Sequence, residues 1–128
     1  MLEQNKFILV VEDDVELCNS VQGVLQGAGY KAVGAHDLRG AMMKIRNQAF
    51  ACILLDIRLG HDSGEEIIEN TKNRVESLNR DTPIVVISGF LDRETVESLA
   101  GKVQGALVKP FETIHLLDAV RKVVKLEE

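Results

Sequence analysis

Acidic side chains stand where apolar runs stop in this chain. The run FILVV ends at Glu12, Asp13 and Asp14, and the run ACILL ends at Asp56. A third run, PIVVI, ends at Ser88 and Gly89, and the short run ALV ends at Lys109 and Pro110. If the runs are parallel strands, several carboxylates, a hydroxyl and an ammonium meet along one sheet edge. Clustered carboxylates repel one another, and like charges at close range raise at least one pKa. A hard divalent cation relieves that repulsion, while the ammonium and hydroxyl are suited to phosphoryl oxygens. The pattern points to a metal and phosphate site, not a structural core. His36, His61 and His115 form no ligand cluster in the sequence, which weighs against zinc.

Each of these residues has a plainer reading on its own. Asp14 is placed to cap a following helix, Ser88-Gly89 is ordinary turn chemistry, and a single lysine is usually a solvated one. Recurrence at successive strand ends is what argues for chemistry.

The elements that must position these groups follow from the apolar periodicity. FILVV and ACILL lack alternation, as strands buried on both faces do. Leu17, Cys18, Val21, Val24, Leu25 and Ala28 recur at helical spacing, with Gly29 as a left-handed stop. Residues 30–35 read as a short edge strand, and Asp37 can cap a helix whose inner face is Leu38, Ala41, Met42 and Ile45. The spacing predicts a third helix from Gly64 to about Asn79, with Ile67, Ile68, Val75 and Leu78 on one side. Pro83 opens the PIVVI strand, where its missing N–H is tolerable. A weaker helix over Arg93 to Lys102 uses Val96, Leu99 and Ala100. The last helix, Glu112 to Lys125, presents Ile114, Leu117, Val120 and Val124. This is βα repeated five times. It implies an α/β fold: a three-layer, doubly wound (βα)5 arrangement with a five-stranded parallel sheet and right-handed crossovers. Residues 1–128 read as one domain.

Composition narrows the partners. A formal net charge of −5 and the lack of a basic stripe give no reason to expect direct nucleic-acid binding. No apolar run approaches membrane-spanning length and no basic leader precedes one, so a cytoplasmic protein without a membrane partner is expected. Cys18 and Cys52 sit in apolar settings and read as free, buried thiols.

The motifs ILVVEDD, LLDIRLGHDSG, VVISG and LVKPF, in this order at successive strand ends, resemble those of a bacterial response-regulator receiver domain, the phosphoacceptor module of two-component signalling. The similarity extends over essentially the whole chain and implies the flavodoxin-like strand order 2-1-3-4-5. It implies that Glu12 and Asp13 hold Mg²⁺ together with Asp56 and the backbone carbonyl of Arg58. Asp56 is then the phosphorylated and catalytic aspartate, assisted by Ser88 and Lys109, with Pro110 following in a cis peptide. Gly60, Gly64, Gly89 and Pro110 would shape the site, and Ser88 and position 106 would form the switch. A histidine kinase or histidine phosphotransfer protein is the implied donor, with an output domain or a homodimer as further partners. Such a domain performs its own phosphotransfer and slow dephosphorylation without being a metabolic enzyme.

The chain departs from that pattern at three places. Gly60 replaces a usual proline, so a less constrained loop is expected there. The 32 residues from Asp56 to Ser88 slightly exceed the usual separation, with the excess assigned to Asn73–Asp81. Ala106 stands where an aromatic residue usually reports phosphorylation by rotating inward. A methyl group cannot do so, which leaves open a second reading: a degenerate receiver acting as a phosphorylation-independent interaction module. A small flavodoxin-like enzyme is disfavoured, since no phosphate-cradling glycine- or hydroxyl-rich loop follows the first strand. A phosphatase-type enzyme should need a more developed substrate-recognition surface than this small chain offers.

Overall fold

The computed structural model describes residues 6–73, 77–89 and 93–125. In chain order the elements are β1 (Phe7–Val11), α1 (Val15–Gly27), β2 (Ala32–Ala35), α2 (Leu38–Asn47), β3 (Phe50–Asp56), β4 (Arg58–Leu59), β5 (Asp62–Ser63), α3 (Glu65–Lys72), β6 (Ile84–Ser88), α4 (Arg93–Leu99), β7 (Gly105–Val108) and α5 (Thr113–Val123). Five strands form one sheet in the order β2-β1-β3-β6-β7, and every neighbouring pair is parallel. Counting only these strands, the order is the expected 2-1-3-4-5.

The unbroken apolar runs are explained by two cores, one on each face. Ile8, Val10, Cys52, Leu54, Val85 and Ile87 face α1 and α5, where they meet Cys18, Val21, Leu25, Leu116 and Val120. Their alternates Leu9, Val11, Ile53, Leu55, Ile84 and Val86 face α2, α3 and α4, meeting Ala41, Ile45, Ile67, Ile68 and Leu99. Period-two side chains with helices on both faces leave no position for a polar residue until the strand ends. Each large side chain so buried contributes about 1.5–3 kcal/mol.

The expected caps are present. Asp14 accepts from the Leu17 N–H at 3.1 Å and Asp37 from the Gly40 N–H at 2.7 Å. Gly29 follows α1 at a φ of 99°. Cys18 and Cys52 are free and buried.

Three helices differ from expectation. The fourth ends at Leu99, which leaves Ala100 exposed beyond it. The third stops at Lys72 rather than near Asn79. Val75 and the Val96 side chain lie outside the described residues, while Leu78 is 57% exposed in a turn. Asn79, by contrast, is completely buried. Its side-chain N–H groups donate to the Ile45 and Gln48 carbonyls at 2.9 and 2.8 Å, and its oxygen accepts from the Phe50 N–H and the Thr82 hydroxyl at 2.8 and 2.9 Å. Asn79 therefore ties the end of α2 to the start of β3, and these bonds hold the chain in a turn where helical spacing alone predicts another helical turn. In the last helix Leu116 and Val120 point inward and Ile114 is exposed, because the i, i+4 stripe from Leu116 faces the sheet.

Candidate functional site

Strand register alone brings the charged groups together. Val11 pairs with Leu55, so Glu12 and Asp56 are neighbours at the carboxyl ends of β1 and β3. Asp56 pairs with Ile87, which puts Ser88 one step beyond it. Ser88 pairs with Val108, and the Lys109 N–H donates to the Ser88 carbonyl at 2.7 Å. The carboxyl edge of a parallel sheet is where such folds carry working residues.

The side chains converge as well. The Lys109 ammonium donates to Glu12 Oε1 at 2.8 Å and to Asp56 Oδ2 at 3.0 Å. The other oxygens are engaged too, with Glu12 Oε2 accepting from the Asp14 N–H at 3.2 Å and Asp56 Oδ1 from the Arg58 N–H at 3.0 Å. Glu12, Asp56 and Ser88 are buried, whereas Asp13 is exposed at the mouth. Carboxylate oxygens of Glu12, Asp13 and Asp56 lie within 4.8 Å of one another.

Burial, reinforced by Asp56 and opposed by Lys109 and the Asp14 N–H, pushes the Glu12 carboxyl up to about 7. Burial by itself would lower the Lys109 ammonium, but its hydrogen bonds to Glu12 and Asp56 outweigh that and hold it above the ordinary lysine value. Three oxygen donors, one of them reluctant to ionise, fit a hard divalent cation. The set contains no thiol or imidazole that would favour a softer metal.

The residues after Asp56 fold into a feature with no counterpart in the apolar pattern. β4 and β5 pair as an antiparallel hairpin, Arg58 with Ser63 and Leu59 with Asp62. Gly60 takes the first turn position at a φ of 63°, the sign that a two-residue Gly-X turn requires. The Gly60 N–H donates to Asp13 Oδ2 at 3.0 Å. This loop is therefore pinned, not loosened as the missing proline suggests. The local signal was the Gly-His pair flanked by two short segments, too short to show strand periodicity.

Of the other shaping residues, Gly64 has a steric reason to lack a side chain: an added Cβ would lie 2.6 Å from the Asp56 carbonyl oxygen. At Gly89 a Cβ would meet nothing within 4 Å. The Lys109–Pro110 peptide is cis, as the resemblance implies. Arg58, Gly60, His61, Glu65, Ser88 and Thr95 help line a cavity of about 360 Å³ beside the carboxylates. Ala106 is removed from them, exposed on the edge strand β7.

Comparison with known proteins bears on the family and the fold. The family described as response regulator receiver domain matches residues 8–121. The transcriptional regulatory protein ZraR of Escherichia coli (strain K12) is 31% identical over 123 residues, covering 95% of this chain and 27% of ZraR. The chain thus spans about a quarter of the length of the first curated relatives that it matches. The chemotaxis protein CheY4 of Vibrio cholerae superposes with a TM-score of 0.83 at 28% identity, covering 92% of this chain and 98% of CheY4. A response regulator from Burkholderia pseudomallei, solved with a phosphorylated aspartic acid, a calcium ion and citrate, gives a TM-score of 0.80 at 26% identity, covering 91% of this chain and 66% of that one. Among the described residues, no helix is long and apolar enough to cross a membrane.

Proposed function

The chain belongs to the response regulator receiver domain family, and we propose that it is a Mg²⁺-dependent phosphoacceptor which takes a phosphoryl group from a phosphohistidine donor onto Asp56. The observation that carries this reading is the Lys109 ammonium bridging Glu12 and Asp56 beside Asp13 at one sheet edge. Glu12, Asp13, Asp56 and the Arg58 carbonyl would hold the cation. Bound there, Mg²⁺ would neutralise charge on the phosphoryl oxygens.

The chain's own groups supply the rest. An Asp56 carboxylate oxygen forms a bond to phosphorus as the bond from phosphorus to the imidazole nitrogen breaks, and the electron pair leaves with the imidazole. Arg58 N–H keeps one Asp56 oxygen oriented, which fixes the direction of the carboxylate. Lys109 exchanges its contact with Asp56 for one with an incoming phosphoryl oxygen, so its positive charge stays in place throughout. The Ser88 hydroxyl, at the end of the neighbouring strand β6, supplies a hydrogen bond to the phosphoryl group. Slow attack by water on phosphorus breaks its bond to the Asp56 oxygen, releasing inorganic phosphate and returning the carboxylate, which makes the domain a timed switch.

On this reading the partners are a histidine kinase or histidine phosphotransfer protein, with an output domain or a second copy on the signalling side. Residues 1–128 act as one receiver unit in the cytoplasm, without direct nucleic-acid contact. The likeness to about a quarter of a transcriptional regulatory protein supports coupling to an output module.

Incubation with acetyl phosphate and Mg²⁺, followed by intact mass measurement, tests the proposal. One added phosphoryl group is expected, suppressed by EDTA and absent in Asp56→Asn. An adduct that persists in Asp56→Asn refutes the assignment of Asp56. If neither an adduct nor beryllofluoride binding is found, the domain is a phosphorylation-independent interaction module.

A further inference from the structure

Asp13 differs from the other two carboxylates of the cluster. Glu12 and Asp56 are buried and gripped by Lys109, whereas Asp13 is exposed and not confined by packing. Its Oδ2 is nevertheless held at 3.0 Å by the N–H of Gly60, a residue 47 positions away in sequence. We propose that Gly60 is a positioning residue for cation binding: its N–H fixes Asp13 and couples occupancy of the site to the order of the β4–β5 hairpin. This inference rests on the metal-site reading given above.

The construction of the hairpin supports the role. Its base is anchored by Ile57, 8% exposed, and by the bond from the Gly64 N–H to the Ile57 carbonyl at 2.6 Å, and Leu59 beside the turn is 4% exposed. The ladder between β4 and β5 carries that rigidity to the turn. At the tip, a Cβ on Gly60 would meet nothing within 4 Å, so space does not explain the glycine. The φ of 63° does, and that conformation aims the N–H at Asp13. A proline at this position would have no N–H to offer.

A carboxylate has two oxygens, so one can accept from Gly60 while the other is left for a cation. An exposed aspartate would otherwise lose rotational freedom on binding, and its prior restraint removes part of that cost. Groups that orient a metal ligand through a hydrogen bond typically change affinity by about 10–100-fold when lost. Because binding and hairpin order share the Asp13–Gly60 bond, a cation should protect the turn by the same factor by which the turn favours the cation.

Titration of the protein with Mg²⁺, followed by amide chemical shifts, reads the dissociation constant directly. Gly60→Pro, which removes the donor, should weaken Mg²⁺ binding by about tenfold or more. Gly60→Asn keeps the N–H and tolerates a positive φ, so it should recover most of that loss. In metal-free protein, amide exchange at Gly60 should accelerate in Asp13→Ala, a readout that does not depend on the metal. Equal Mg²⁺ affinity in wild type and Gly60→Pro overturns the inference, as does Gly60→Asn binding no better than Gly60→Pro. Unchanged Gly60 exchange in Asp13→Ala also overturns it. If Gly60→Pro does not fold, the asparagine variant and the exchange measurement still decide. Wild-type protein that binds no Mg²⁺ removes the metal-site reading itself, an outcome distinct from wild-type binding with unaffected variants.

Discussion

Substituting Glu12 by glutamine should stabilise the metal-free protein, and by an amount that depends on pH. The Glu12 carboxyl is held at about 7 in the fold, against an ordinary value of 4.5. The folded state therefore binds the proton more tightly than the unfolded chain does, and stability falls as pH rises between those two values. Above about pH 8 the full penalty of carrying the buried charge is present, about 3 kcal/mol; at about pH 5.5 it has reached only about 1 kcal/mol. The glutamine side chain would carry no charge at either pH and would keep an oxygen for the Asp14 N–H. The stability difference between Glu12→Gln and wild type should thus grow by about 2 kcal/mol between about pH 5.5 and about pH 8. Urea denaturation in EDTA, followed by far-ultraviolet circular dichroism, measures it as a relative midpoint shift of about 1 M. A difference that stays constant with pH would refute the claim that Glu12 is forced to ionise against burial.

Added Mg²⁺ should reverse the sign of this dependence, since a metal ligand must shed its proton. The gain in melting temperature from Mg²⁺ should be larger at about pH 8 than at about pH 6, and absent in EDTA. Asn79→Ala should lower stability by about 3 kcal/mol or more in urea titrations, because it leaves buried groups on both Phe50 and the end of α2 without partners. Gly64→Ala should cost about 1–3 kcal/mol and slow phosphorylation by acetyl phosphate, since the new methyl group must displace the Asp56 backbone. Beryllofluoride should shift amide resonances at Val108, Lys109 and Thr95 as well as at Asp56, and shifts confined to the carboxylates would argue against switching in the domain.

The strands and their terminal acids were legible because a doubly covered parallel sheet leaves one place for polar groups. Glu12, Asp56, Ser88 and Lys109 each end an apolar run, and parallel pairing turns those ends into neighbours. The hairpin was not legible, because two-residue strands are too short to show alternation and a main-chain donor leaves no mark in the sequence. The end of α3 misleads for a different reason. Leu78 continues the helical spacing of Ile67 and Ile68, but the carbonyls closing α2 need donors and Asn79 supplies them from a turn. A buried asparagine and a surface one look alike in sequence. Ile114 illustrates a third failure, since two overlapping apolar stripes run along the last helix and only packing chooses between them.

The same geometry restricts how a phosphoryl group on Asp56 could be reported. β7 lies at the sheet edge, and Ala106 and Val108 are both exposed on it, while Leu107 between them packs into the α1–α5 core. A side chain at position 106 that could alternate between buried and exposed would need bulk that alanine lacks. Main chain at the β6 and β7 ends and α4 are connected to the site. The Lys109 N–H is bonded to the Ser88 carbonyl, so movement of Ser88 toward a phosphoryl oxygen pulls on the end of β7 directly. Ser88 and Thr95 line the same cavity, so contraction of that cavity would draw on α4. Within the proposed function, the signal in this chain would therefore travel by displacement of the β6 and β7 ends and of α4, with no step that requires an aromatic ring at position 106.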